Sequence, residues 1–196
     1  THFSYFSFSH FTTYYHSMRI TCCTFIVFFS YSLYNYFYTG GYNMLQIGDK
    51  IPALDYQLDN GSAGNLHDLL GKKCILFFYP KDSTPGCTKE ACSINDHYQL
   101  LKDLGYTILG ISPQNAKSKA KFKEKNHLML DFICDEDTSI CQAFGVWQEK
   151  KLYGKTYMGV VRTTFVIDES GTITHLFNKV KVATHGQDLY ETLKEG

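Results

Sequence analysis

Cys87 has the setting that sulfur chemistry needs. It follows the loop Pro80-Lys81-Asp82-Ser83-Thr84-Pro85-Gly86, which leaves an apolar run, and it opens a stretch with helical spacing. A thiol reacts through its thiolate, and the unpaired N–H groups and positive dipole end at a helix N-terminus stabilise that anion. Position alone leaves two readings open, a reactive thiol or an ordinary first-turn residue in a tight loop. Cys92 follows five residues later. Far along the chain, Arg162 is the one arginine beyond residue 43, against 17 lysines. A planar, permanently charged fork suits an anionic site better than a mobile lysine does.

The remaining cysteines read differently. Five cysteines follow residue 43, at 74, 87, 92, 134 and 141. An odd count without a convincing signal peptide argues against a secreted disulfide framework. No CxxC is present, so neither a zinc knuckle nor a thioredoxin-type dithiol is written here. Cys74 and Cys141 are expected to be buried, inert thiols. Cys134 precedes Asp135-Glu136-Asp137, whose charges oppose a thiolate. Gly154-Lys155-Thr156 is not a phosphate loop, because Glu149 stands where the first glycine belongs. His67, His97, His127, His175 and His185 lack metal-ligand spacing. The alternate lysines from 117 to 125 read as a solvated helix.

The elements that must position these groups follow from periodicity. Lys73 to Tyr79 is a continuous apolar run stopped by Pro80, which predicts a strand buried on both faces. Cys87 to Leu104 predicts one helix closed by Gly105. Tyr106 to Ile111 and Leu128 to Ile133 predict two further strands, with helices at Asn115 to Lys125 and Thr138 to Phe144. Thr163 to Ile167 and Thr172 to Phe177 predict a hairpin, and Gln187 to Lys194 a last helix. Asn60-Gly61 predicts a turn between two short strands near the front. The order predicts an α/β three-layer domain with a mixed sheet.

Two separated motifs carry a family resemblance. Pro80, Thr84 and Cys87 match the peroxiredoxin pattern of Pro, three residues, Thr or Ser, two residues, Cys. The longer string from Phe78 to Cys92 closely resembles the peroxiredoxin Q group, also called bacterioferritin comigratory protein. Tyr157 to Asp168 resembles that group's Arg-bearing segment, and the likeness runs from about Gly48 to the last helix. The resemblance implies a thioredoxin-like three-layer fold, a central mixed β-sheet flanked by helices with an N-terminal β-hairpin extension. It also implies a thiol peroxidase acting on hydrogen peroxide and alkyl hydroperoxides, with thioredoxin or a similar dithiol as reductant. On the same footing Cys87 is the peroxidatic thiol, Thr84 offers its hydroxyl to the peroxide, Arg162 stabilises thiolate and transition state, and Pro80 shields the sulfur. Cys92 matches the resolving position. Within one helix these two cysteines stand about 7.5 Å apart along the axis and about 140° apart around it. A disulfide needs Cα atoms about 4.4–6.8 Å apart with converging Cβ vectors, so the turns from Cys87 to Ser93 are expected to unwind. A one-cysteine mode and a redox-sensing or holdase module are the alternatives. No metal or organic cofactor is implied, and a cytoplasmic monomer is expected.

Composition divides the chain. It has 196 residues and zero formal net charge, which gives no basic surface for general nucleic-acid binding. Residues 1–43 hold 16 of the 31 aromatics and a single charged residue, Arg19. Their apolar run, Ile20 to Phe29, is too short to span a bilayer as a helix. This segment reads as non-globular, an in-frame translation of upstream DNA, with a targeting segment as the weaker alternative. The Gly40-Gly41 codons can spell a ribosome-binding sequence before Met44. Residues 44–196 form the expected domain, with a net charge of 18 − 19 = −1.

Overall fold

The structure is a computed structural model and describes residues 43–152 and 154–195. Apart from Asn43, the expectation for the first 43 residues lies outside the described residues. Two short antiparallel strands, β1 (Asp55–Gln57) and β2 (Ala63–Asn65), come first, and the Asn60-Gly61 turn lies between them. Asn60 Oδ1 accepts the Ser62 N–H at 2.9 Å, the local bond that makes asparagine a turn former. A 3-10 turn, Leu66–Leu69, leads into β3 (Lys73–Phe78). Then follow α1 (Pro85–Asp96), α2 (Tyr98–Asp103), β4 (Tyr106–Ser112), α3 (Ala116–Lys125), β5 (Asp131–Cys134) and α4 (Ser139–Ala143). A second hairpin, β6 (Trp147–Leu152) and β7 (Lys155–Val160), precedes β8 (Thr163–Ile167), β9 (Ile173–Phe177) and α5 (His185–Leu193).

The central sheet is five-stranded, in the order β5-β4-β3-β8-β9. β3, β4 and β5 run parallel, whereas β8 and β9 pair antiparallel, so the sheet is mixed as expected. β3 is buried on both faces: Cys74, Leu76 and Phe78 enter one core, Ile75, Phe77 and, just past the strand's end, Tyr79 the other. The second core also holds Cys87, Ala91 and Ile94 of α1 and Leu189 and Leu193 of α5. Gly110 in β4 makes room for this packing. A Cβ there would lie 2.6 Å from ring atoms of both Phe77 and Phe132, so any side chain would force the aromatic layer apart.

Four expectations are corrected. The helix from Cys87 to Leu104 is two helices meeting at His97. His97 Nδ1 contacts the Ser93 carbonyl at 3.0 Å, the group its own N–H would reach in a continuing helix, and that N–H turns to Ile94 O instead. The helix also begins earlier, at Pro85, where a proline costs no hydrogen bond. The third strand covers Asp131–Cys134 and excludes Leu128 to Leu130. Finally, the lysines of α3 are not all solvated: Lys119 is 0% exposed. Lys119 and Phe122 stand three apart and share the inward face, a helical spacing that the run of alternate lysines masks. The β6–β7 hairpin was not anticipated, since its polar sequence has no one-sided alternation and most of β7 is exposed.

Candidate active site

The loops that follow β3, β4 and β5 all lie at the carboxyl ends of parallel strands, where α/β sheets assemble their sites. Thr84 is the N-cap of α1, with extended backbone, and Pro85 takes the first helical position. Cys87 is therefore the third helical residue, still in the first turn. Helix geometry leaves the Gly86 and Cys87 amides without carbonyl partners inside the helix, and the first bond runs from Thr88 N–H to Thr84 O at 2.8 Å. The Thr84 hydroxyl donates to Lys81 O at 3.0 Å, which leaves its oxygen free to accept. Pro80 is half-buried at the start of the loop.

Arg162 comes from the short connection between β7 and β8. Its Nη2 donates to Cys87 Sγ at 3.1 Å, and its Nη1 donates to Glu90 Oε2. One planar group thus bridges two residues on the same face of α1. Cys87 is 2% exposed and Glu90 0%. Burial pushes the Glu90 carboxyl up to about 7, against the pull of Arg162, and Glu90 Oε1 has no hydrogen-bond partner. Glu90 was missed because a glutamate in the middle of a soluble helix looks solvated. Its spacing of three residues from Cys87 was the available signal. Lys150 was also missed. Its ammonium donates to Val160 O, and burial, aided by the like charge of Arg162 and opposed by Cys87, draws its pKa down.

Cys92 lies in the same unbroken helix as Cys87, and both are free thiols. Its half-buried side chain lines a shallow surface hollow with Pro85, Thr88, Lys89 and Asp96. Burial, then Asp96, raises its pKa. Cys74 and Cys141 are fully buried; burial lifts Cys74 to about 11, and burial with Asp135 lifts Cys141 further still. Cys134 is raised as well, by burial before any carboxylate.

The AhpC/TSA family model matches residues 47–176. The chain is a peroxiredoxin of this family. It is 42% identical over 151 residues to peroxiredoxin Bcp of Bacillus subtilis (strain 168), covering 77% of this chain and 96% of that one. Peroxiredoxin Bcp of Escherichia coli (strain K12) is 40% identical over 153 residues, with 78% and 98% covered. Among solved structures, peroxiredoxin Q of Xanthomonas campestris superposes with a TM-score of 0.69 at 36% identity, covering 72% of this chain and 90% of that one. The Xylella fastidiosa peroxiredoxin Q mutant superposes with a TM-score of 0.73 at 29% identity, over 78% and 98%. The fold and the enzyme class expected from the two motifs are thereby established: this peroxiredoxin has the thioredoxin-like fold and is a peroxidase. Among its described residues no helix is long and apolar enough to cross a membrane.

Proposed function

We propose that this peroxiredoxin reduces hydrogen peroxide and organic hydroperoxides through Cys87, with Cys92 as resolving thiol and thioredoxin or a similar dithiol as reductant. The contact that carries the reading is Arg162 Nη2 on Cys87 Sγ, 3.1 Å away in the first turn of α1. The Cys87 thiolate attacks the nearer peroxide oxygen. An S–O bond forms, the O–O bond breaks, and the departing oxygen takes a proton to leave as water or alcohol. Negative charge moves from sulfur to oxygen during this step. Arg162 and the free amides of the first turn sit where that charge starts and where it develops. Thr84, whose oxygen is free to accept, binds the peroxide O–H, and Pro80 limits water around the sulfur. Alkyl peroxide reduction is named for the Xanthomonas campestris bacterioferritin comigratory protein, which is 35% identical.

Resolution follows from helix geometry. Cys92 condenses with the sulfenic acid, an S–S bond forms and water leaves. An intact α1 holds the two sulfurs too far apart, so Cys87 to Ser93 unwinds for this step and rewinds when the dithiol reduces the bridge. The same reading has the enzyme work as a monomer in the cytoplasm, where a reducing thiol pool keeps the five cysteines among the described residues free. Stopped-flow oxidation by hydrogen peroxide and by an alkyl hydroperoxide, followed by regeneration with thioredoxin, tests the scheme. Wild type turns over with both peroxides and Cys87→Ser does not. Undiminished activity in Cys87→Ser overturns the assignment, and a single oxidation without regeneration makes the protein a sensor.

A further inference from the structure

A second buried polar cluster lies behind the reactive loop, and the mechanism above does not use it. Lys119 of α3 is fully buried, and its ammonium donates to Ser112 Oγ at 2.6 Å and to Tyr79 OH at 3.2 Å. It also lies 3.7 Å from Asp82 Oδ1. Asp82 is the centre of the cluster. Its carboxylate accepts from Tyr79 OH at 2.7 Å and from Ser118 Oγ at 2.7 Å, and its backbone N–H donates to Gln114 Oε1 at 3.2 Å. Helix α3, the loop after β4 and Tyr79 at the end of β3 are thus fastened to the middle residue of the segment from Pro80 to Thr84. Asp82 is two residues from each of these.

The segment needs such a fastening. Ser83 has φ 59°, a left-handed conformation that a residue with a side chain holds only when its surroundings impose it. On one side the surroundings are the N-cap of α1, a helix whose first turns must open during catalysis. On the other side they are the Lys119 cluster, in which the buried Lys119 and Asp82 are held by hydrogen bonds and by their own ion pair. A buried cation and a buried carboxylate each carry a large desolvation cost, and removing one leaves the other uncompensated. A lysine at this position therefore does more than fill space.

We propose that Lys119 is a positioning residue for peroxide reduction: through Asp82 it holds Pro80 and Thr84 in the geometry that receives the peroxide. This rests on the reading of Cys87 as the reacting thiol. Lys119 acts on the peroxide's binding frame and leaves the sulfur's own reactivity alone. Two reactions of Cys87 separate these effects. Oxidation by hydrogen peroxide needs the frame, whereas alkylation by iodoacetamide needs only the thiolate and access to it.

The test is Lys119→Met in the full chain, with both rates measured at pH 7 on protein shown to be folded by circular dichroism. Oxidation slows at least about tenfold, the scale expected of a misplacement below 1 Å, while alkylation changes less than about threefold. Ser118→Ala removes one bond to Asp82 without stranding a charge and serves if Lys119→Met does not fold. It shows the same split with an oxidation loss of about threefold. Oxidation at the wild-type rate in a folded Lys119→Met, or equal losses in both reactions, overturns the proposal. So does an unchanged Ser118→Ala where Lys119→Met is unfolded. Cys87→Ser run alongside keeps the two readings apart: fast oxidation surviving there sinks the assignment of Cys87, whatever the Lys119 variants do.

Discussion

Cys87 and Cys141 are both buried thiols near the start of a helix, yet their surroundings are opposite. Cys87 faces the Arg162 guanidinium. Cys141 faces Asp135, whose carboxylate accepts the N–H groups of Ile140 at 3.0 Å and Cys141 at 2.8 Å. In α4 the free amides that a helix start provides are consumed by a carboxylate, and burial together with that charge holds the Cys141 thiol well above its ordinary range. In α1 the corresponding amides stay open and a cation stands beside the sulfur. A helix N-terminus is therefore not enough to activate a thiol. What decides is whether the protein spends that terminus on its own carboxylate or leaves it to an outside anion.

The contrast breaks most visibly by substitution at the two sulfurs. Cys87→Ser abolishes peroxidase turnover, while Cys141→Ala leaves the rate unchanged and costs about 1–2 kcal/mol of stability by denaturant unfolding. Cys92→Ser comes next: thioredoxin-linked turnover is lost while one oxidation of Cys87 per chain survives, as seen by single-turnover stopped flow. Unchanged turnover would remove Cys92 from the scheme. Arg162→Met takes the cation from Cys87 and lowers the oxidation rate constant by about 10²–10³, the usual cost of deleting one charge-stabilising donor.

The smallest effect is in pH. The Glu90 carboxyl is raised to about 7, so folding favours its protonated form. Its stabilising contribution is whole below the ordinary carboxylate range and fades as pH climbs through about 7. His185, drawn down to about 4 mainly by burial, acts in the opposite sense, destabilising the fold as pH falls from its ordinary value of 6.5. The difference between wild type and Glu90→Gln isolates the first term. Glu90→Gln flattens that part of the fall in Tm between pH 5 and 7 and removes an inflection near 7 from the oxidation rate. A pH profile identical to wild type would show that Glu90 does not set the charge beside Arg162.

The sheet was legible because its strands are continuous apolar runs, and β3 announces both cores through Ile75, Phe77 and Tyr79 against Cys74, Leu76 and Phe78. Cys87 was legible as a candidate from its place at a helix start within the Pro80, Thr84, Cys87 motif, and Arg162 as the one arginine beyond residue 43, and the structure brings them together across 75 positions. Glu90 and Lys119 were not, because charged residues on short polar helices look solvated until tertiary packing supplies their partners. β6 and β7 hid for a related reason. Their pairing is settled by backbone bonds and a turn at Gly154, with little side-chain burial to mark it. The break at His97 depends on one side chain capturing the Ser93 carbonyl, a competition invisible to periodicity.

Ser93 has a second partner. Its hydroxyl accepts the Gly186 N–H at 3.0 Å, and a Cβ on Gly186 would lie 1.9 Å from its carbonyl oxygen, so α5 begins directly against it. In the proposed scheme Ser93 is also the last residue of the stretch that opens when Cys87 and Cys92 join. That scheme makes α5 an indicator of redox state. Each oxidation would loosen the seat of α5 and each reduction restore it, so hydrogen exchange at the Gly186 amide is expected to rise and fall with the cycle.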